Sequence, residues 1–382
     1  MIVIDSGMID PVGADETLRV RTFPALAVLS NGELLLTCRF GTTKSGTDGT
    51  IMAYRSVDNG ANWSTPQVLF TPTQVDGVFG AFLNCYVTEL GQGHLIAACL
   101  WSDQETYPGQ PLFNEHSGCL PMAVLLSDSY DFGKTWSPLR KAELPDELGP
   151  PSLTNPILKL PGDVLALSVE TNKNYDDKGQ WFQKVVLCHS TDGGKTWGEP
   201  VTSGCDPTGR IFNWDQREAV ASDGTIGAFA WTFDSETQAY LNIHRRLSRD
   251  NGMRWSEPED LGITDQAGHP AMLTDGRVVL PWVDRFQSHT VKARLASHIG
   301  GSFDAATEVE LYRHDLIGAR TENAASTGEA LGEMSLWTYG LPFAEALPNG
   351  EVLVFYYAGD SRTMNIHWAR LAVAQEPVTA KE

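Results

Sequence analysis

Ser190-Thr191-Asp192-Gly193-Gly194-Lys195-Thr196-Trp197 is one of four stretches with the pattern Ser-x-Asp-x-Gly-x-x-Trp. The others run from Ser56 to Trp63, Ser129 to Trp136 and Ser248 to Trp255. Each follows an apolar, β-prone run. Asp can accept hydrogen bonds from the backbone of its own turn, and Gly permits positive φ. The Trp can then fold back over the corner and bury it. Recurrence at intervals of several tens of residues marks a repeat architecture.

A second repeat supports the same reading. Short turns around Asn31-Gly32, Gln92-Gly93, Gly162-Asp163, Asp223-Gly224, Asp275-Gly276 and Asn349-Gly350 are each followed by an apolar run. Such dipeptides between apolar runs are strong hairpin signals. They divide the chain into six units, each with a further strand before the Ser-x-Asp position. Ser297 to Phe303 reads as a decayed fifth corner, with Phe for Trp, and the sixth unit has none. The expected fold is all-β: a six-bladed β-propeller of four-stranded antiparallel blades. Ile2-Val3-Ile4 is expected to supply an outer strand to the last blade. Residues 1–375 are expected to form a single domain and 376–382 a frayed tail.

Composition bounds the partners. The formal net charge is -20 over 382 residues, which argues against nucleic acid and anionic membrane surfaces as main partners. A local cluster of Arg can still reverse the field inside a pocket. The start of the chain has no basic region or long apolar core, and no apolar run is long enough to span a membrane. Cys38, Cys85, Cys99, Cys119, Cys188 and Cys205 form no CxxC pair, which suits free thiols and a cytoplasmic setting. Glu115-His116 alone is too little for a metal site, so no metal and no cofactor is expected.

The irregular stretches Gly41–Thr50, Ser102–Gly118, Thr171–Gln180 and Asp284–Thr290 follow the second strand of their units. In a propeller such connections gather on one face and present functional side chains. The stretch from Arg313 to Leu336 is expected to hold a short helix.

The Ser-x-Asp-x-Gly-x-x-Trp corners resemble the Asp-box, or BNR repeat, of the sialidase superfamily. In that family the boxes are structural and lie away from the active site. The resemblance implies an exo-acting glycoside hydrolase and a carbohydrate substrate with a terminal acidic or modified sugar. Arg21-Thr22-Phe23-Pro24 resembles the family signature whose Arg binds a substrate carboxylate, displaced by one residue. A bidentate guanidinium suits that task. Arg39 and the loop carboxylate Asp48 match the family's next Arg and its acid/base Asp. Glu218 falls where the family places the Glu that polarises a nucleophilic Tyr. Tyr339 is two residues from the position of that Tyr, and Arg285 stands for the third carboxylate-binding Arg. No Arg occupies the second position, near Phe233-Asp234.

His269 opens the fifth unit and is a candidate acid, base or sugar contact. Tyr86 and Asn155 hold comparable inner-strand positions and Trp231 could stack on a sugar face, all three as substrate contacts; Asn84, Glu170 and Asp215 are similarly placed. Two other readings use the same scaffold: a polysaccharide lyase with His269 or a Tyr as base, and a carbohydrate-binding propeller without catalysis.

Overall fold

The computed structural model describes residues 1–13, 15–315 and 326–374. Almost every ordered element is a β-strand, and the sheets follow the units read from the sequence. The first sheet pairs Val20–Val28, Leu34–Gly41, Thr50–Ser56 and Gln67–Phe70 in order. Each later unit repeats this antiparallel plan. The last one, Tyr339–Ala346, Val352–Gly359 and Met364–Ala372, takes Ile2–Ile9 as its outer strand, from Ile2 opposite Ala372 to Ile9 opposite Ile366. One parallel pair, Val20 with Met364, joins the last sheet to the first. The tail expected after Gln375 lies outside the described residues. The helix expected between Arg313 and Leu336 is Thr327–Glu333, with the Ser326 side chain accepting from the Glu329 N–H.

The hairpins form where the dipeptides place them. Val28 faces Leu34, Val220 faces Ile226, Met272 faces Val278 and Ala346 faces Val352 across their turns. Second strands such as Leu34–Gly41 and Ile226–Asp234 are buried along their whole length. That explains why they read as continuous apolar runs and not as alternating ones.

The four Ser-x-Asp corners share one geometry. In the first, Ser56 Oγ donates to Asp58 Oδ1 at 2.8 Å and accepts from Gly60 N at 2.8 Å, while Asp58 Oδ1 also accepts from Asn62 N at 2.9 Å. The same contacts recur around Ser129, Ser190 and Ser248. Gly60 has φ of +80°, and a Cβ there would stand 2.8 Å from Leu353 of the last sheet.

Each corner is also fastened to the sheet before it by a side chain that donates to the corner's backbone carbonyls. Arg370 of the last sheet binds Asn59 O at 2.6 Å, and Arg55 of the first binds Phe132 O at 2.8 Å. Arg140 binds Gly194 O at 3.2 Å, and His189 meets Asn251 O at 2.7 Å. The decayed fifth corner keeps its fastening: Arg245 donates to Ile299 O at 3.1 Å, Gly300 O at 2.9 Å and Gly301 O at 2.5 Å. Arg277, in the hairpin turn of the fifth sheet, binds Ala374 O after the last strand of the sixth at 2.7 Å.

Candidate active site

The inner strands break register at corresponding places. The breaks fall between Thr22 and Ala25, Phe82 and Asn84, Trp214 and Arg217, and Gly340 and Phe343. The inner strands of the third and fifth sheets are interrupted outright, after Leu153 and after Ala267. Such irregularities re-aim side chains. Phe23, Asp215 and Leu341 adopt positive φ there, at 55°, 45° and 48°. Together with Leu83, Leu153 and Gln266 they line one cavity of about 180 Å³.

Two carboxylates meet in this cavity. Glu170 ends the strand Val164–Glu170 opposite Ser152 and is nearly buried. Its Oε1 accepts from Gln216 N at 3.1 Å. Burial, then the charge of Asp215, push its carboxyl well above the usual carboxylate range. Asp215 pairs with Arg217 at 3.4 Å and accepts from Gln266 Nε2. A carboxyl raised in this way is suited to give up a proton near neutral pH.

Three cations face the same space. Arg217 is buried; it binds the Tyr86 hydroxyl at 2.9 Å and Thr154 O, and so ties the second, third and fourth sheets together. Arg285 is held by Asp265, whose Oδ2 accepts from its backbone N at 2.8 Å, and its guanidinium lies 4.2 Å from the Trp337 ring centroid. Its Nε has no hydrogen-bond partner. Lys44 Nζ donates to Met334 O at 2.6 Å, Trp337 O at 3.1 Å and the Tyr357 hydroxyl at 3.1 Å. Burial, then Arg285, lower its pKa to about 7. The loop carrying Lys44 thus holds the end of helix Thr327–Glu333 and Trp337 beside the cavity.

Among the residues expected from the sequence, Tyr86 and Arg285 line the cavity, as do Asn84, Glu170 and Asp215. The others stand elsewhere. Arg21 stacks 4.4 Å from the Phe40 ring and pairs with Glu16 at 2.5 Å and with Asp10. Arg39 is buried on the carbonyls of Phe82, Thr43 and Gly46, and Asp48 accepts from Thr42 N at 2.9 Å. Both shape the loop that delivers Lys44.

Glu218 lies in a buried cluster with Asn155 and His269. Its Oε1 accepts from Ser168 Oγ at 2.7 Å and Gln216 Nε2 at 2.6 Å, Oε2 has no hydrogen-bond partner, and burial raises its pKa to about 7. Asn155 Oδ1 accepts from Glu218 N at 3.1 Å and meets His269 Nδ1 at 3.1 Å. His269 stacks on Phe343 at 4.2 Å, and burial, then Arg217, lower its pKa to about 3, so the ring is neutral. Tyr339 stacks on His314 at 4.6 Å, its carbonyl accepting from Arg285 Nη2 at 3.5 Å. Trp231 is packed among Trp214, Tyr240 and Trp337 with no exposed face.

Sequence reading missed Lys44, Tyr357 and Arg217. The available signal was alternation: adjacent strand residues face opposite sides, so a buried Glu218 directs Arg217 towards the other face.

The sequence matches no protein-family profile and no curated protein. Solved structures do resemble it. A protein of unknown function from Dyadobacter fermentans superposes with a TM-score of 0.72 at 18% identity, covering 97% of this chain and 98% of the other. The NanB sialidase of Streptococcus pneumoniae gives 0.64 at 14%, covering 96% and 70%. An α-L-arabinanase of Penicillium chrysogenum, solved with arabinobiose, gives 0.64 at 16%, covering 97% and 98%. The chain has the all-β fold shared by sialidase-like propellers.

Proposed function

We propose that the sheets form a closed six-bladed propeller and that the chain is an exo-acting glycoside hydrolase for a terminal acidic or modified sugar. The observation that carries the reading is the Glu170–Asp215 pair in the cavity where the inner strands break register or are interrupted. Glu170, held protonated, gives its proton to the glycosidic oxygen as the bond from that oxygen to the anomeric carbon breaks. Asp215 takes a proton from the water whose oxygen bonds to the anomeric carbon. Arg217 and Gln266 hold Asp215 in place. Arg285 and Lys44 supply positive charge for an acidic substituent, in a chain that is otherwise strongly acidic.

This assignment moves the acid/base role from Asp48 to Glu170. Glu218, His269 and Asn155 become the buried support behind Arg217, and Tyr339 a positioning neighbour of Arg285.

The test is a screen of the purified protein against aryl glycosides of ulosonic acids, uronic acids and neutral sugars. Glu170→Gln and Asp215→Asn should each lower kcat/KM by about 10²–10⁴-fold, with Asp48→Asn much milder. No turnover of any glycoside, or full activity in both cavity variants, would refute the reading.

A further inference from the structure

The walls of the cavity differ in chemistry. The fourth, fifth and sixth sheets bring Asp215, Arg217, Gln266, Arg285 and Tyr357. The second and third bring Leu83, Leu100, Met122 and Leu153 beside the carboxyl of Glu170, and the loop after the second sheet's long inner hairpin adds Leu112 and Phe113. Most polar groups on this second wall are turned to protein partners: Asn84 Nδ2 donates to Leu153 O at 2.8 Å, Thr154 Oγ1 to Gln216 O at 2.9 Å and Asn172 Nδ2 to Pro150 O at 2.8 Å, and the Tyr86 hydroxyl accepts from Arg217; Asn84 Oδ1, without a partner, and the proposed acid Glu170 are the exceptions. Leu83 occupies the register break that in the fourth sheet holds Asp215. One structural position is therefore apolar on one side of the cavity and charged on another.

Leu112 and Phe113 differ from the residues beneath them. They are half-buried, on a loop, and packed onto the core without being enclosed by it. Their apolar surface joins that of Leu100 and Met122 into one continuous wall. A neutral, multiply hydroxylated sugar would leave its hydroxyls unpaired against this wall, at a cost of about 1–3 kcal/mol for each one buried. An alkyl or aromatic group there would instead leave water favourably.

We propose that the cavity takes an amphiphilic glycoside, with its sugar on the charged wall and an apolar aglycone, aromatic or short alkyl, on the wall of Leu83, Leu100, Leu112, Phe113, Met122 and Leu153. The proposal deepens the glycosidase reading and rests on it for the position of the scissile bond. The wall itself can be tested by binding alone.

The probes are methyl, butyl and benzyl β-D-glucuronides. Binding is followed through the fluorescence of Trp214 and Trp337, which line the cavity, and hydrolysis by sugar release. Affinity should rise at least about tenfold from methyl to benzyl. In Leu112→Asn and Phe113→Asn, both on the loop, that difference should shrink to about twofold with the far-UV spectrum and melting temperature retained. Should either variant fail to fold, the chain-length series on the unaltered protein still decides the matter. Equal affinity for all three probes, no binding of any, or an undiminished preference in folded variants would overturn the proposal. Binding that favours benzyl without hydrolysis would uphold the wall and count against β-glucuronides as substrates of the glycosidase reading. Hydrolysis of all three at one rate and affinity would do the reverse.

Discussion

The guanidinium of Arg285 lies 4.2 Å from the centroid of the Trp337 ring, and the carbonyl of Trp337 accepts from Lys44 Nζ at 3.1 Å. Two cations therefore converge on one tryptophan, Arg285 on its indole and Lys44 on its carbonyl. The cation–π contact fixes the Arg285 fork without occupying all its donors. Lys44 is charged below about pH 7 and neutral above it. Its contribution to anion binding is therefore present at low pH and lost as pH rises through 7. We expect KM for an acidic glycoside to rise several-fold from pH 6 to pH 8, and Lys44→Met to flatten that dependence. Trp337→Ala should raise KM more than it lowers kcat, since it loosens Arg285 and leaves the carboxylate pair untouched. A steady-state pH series on the three proteins checks both.

Glu218 provides a stability test separate from activity. Burial raises its pKa from 4.5 to about 7 in the folded protein. Between those values the folded chain holds a proton that the unfolded chain has lost, so this group's contribution falls as pH rises through that window. The full difference is on the order of 3 kcal/mol above pH 7 and vanishes below pH 4.5. Two donors already meet Oε1, so an amide fits as the protonated acid does. Glu218→Gln should match the wild type near pH 4.5 and exceed its stability at pH 8, as measured by urea unfolding at both values.

Breaking the corner fastenings should cost stability according to burial. Arg245 is almost fully buried, paired with Glu259 at 2.6 Å and bound to three carbonyls. Arg245→Met strands those acceptors and should cost about 3–5 kcal/mol. Arg55 is partly exposed, and Arg55→Met should cost nearer 1 kcal/mol. Equal losses in chemical denaturation would show that the fastenings do not act through desolvation.

Gly60 tests the corners directly. Its φ of +80° and the 2.8 Å approach to Leu353 both oppose a side chain. Gly60→Ala should lower stability by about 1–3 kcal/mol, whereas Gly32→Ala, with positive φ but open space around it, should cost less. Melting curves of the two variants separate strain from collision.

The repeat was legible because corners and hairpins are local. The Ser and Asp side chains bond within their own eight-residue stretch, so sequence spacing is enough to find the corners. The cavity was not legible to the same degree. Arg285 was found through the sialidase resemblance, and Tyr86, Glu170 and Asp215 through their places on inner strands and the loops beside them. Lys44 reaches the site only through a loop shaped by Arg39 and Asp48, a tertiary fact that no spacing carries. Arg21 and Glu218 show the converse. Their positions suited chemistry, but Glu16 and Asp10 hold the first and desolvation encloses the second.

At every fastened corner the acceptor is a main-chain carbonyl and the donor belongs to the preceding sheet. A carbonyl is present whatever residue carries it. The fastening therefore does not depend on which residues form the turn, and the fifth corner shows the result: the Ser-x-Asp pattern is gone, yet Arg245 still holds three carbonyls. The record of the repeat is kept one sheet upstream of the place where the repeat itself is visible, in a side-chain donor, arginine at most corners and His189 at the fourth, that outlasts the tryptophan at the fifth.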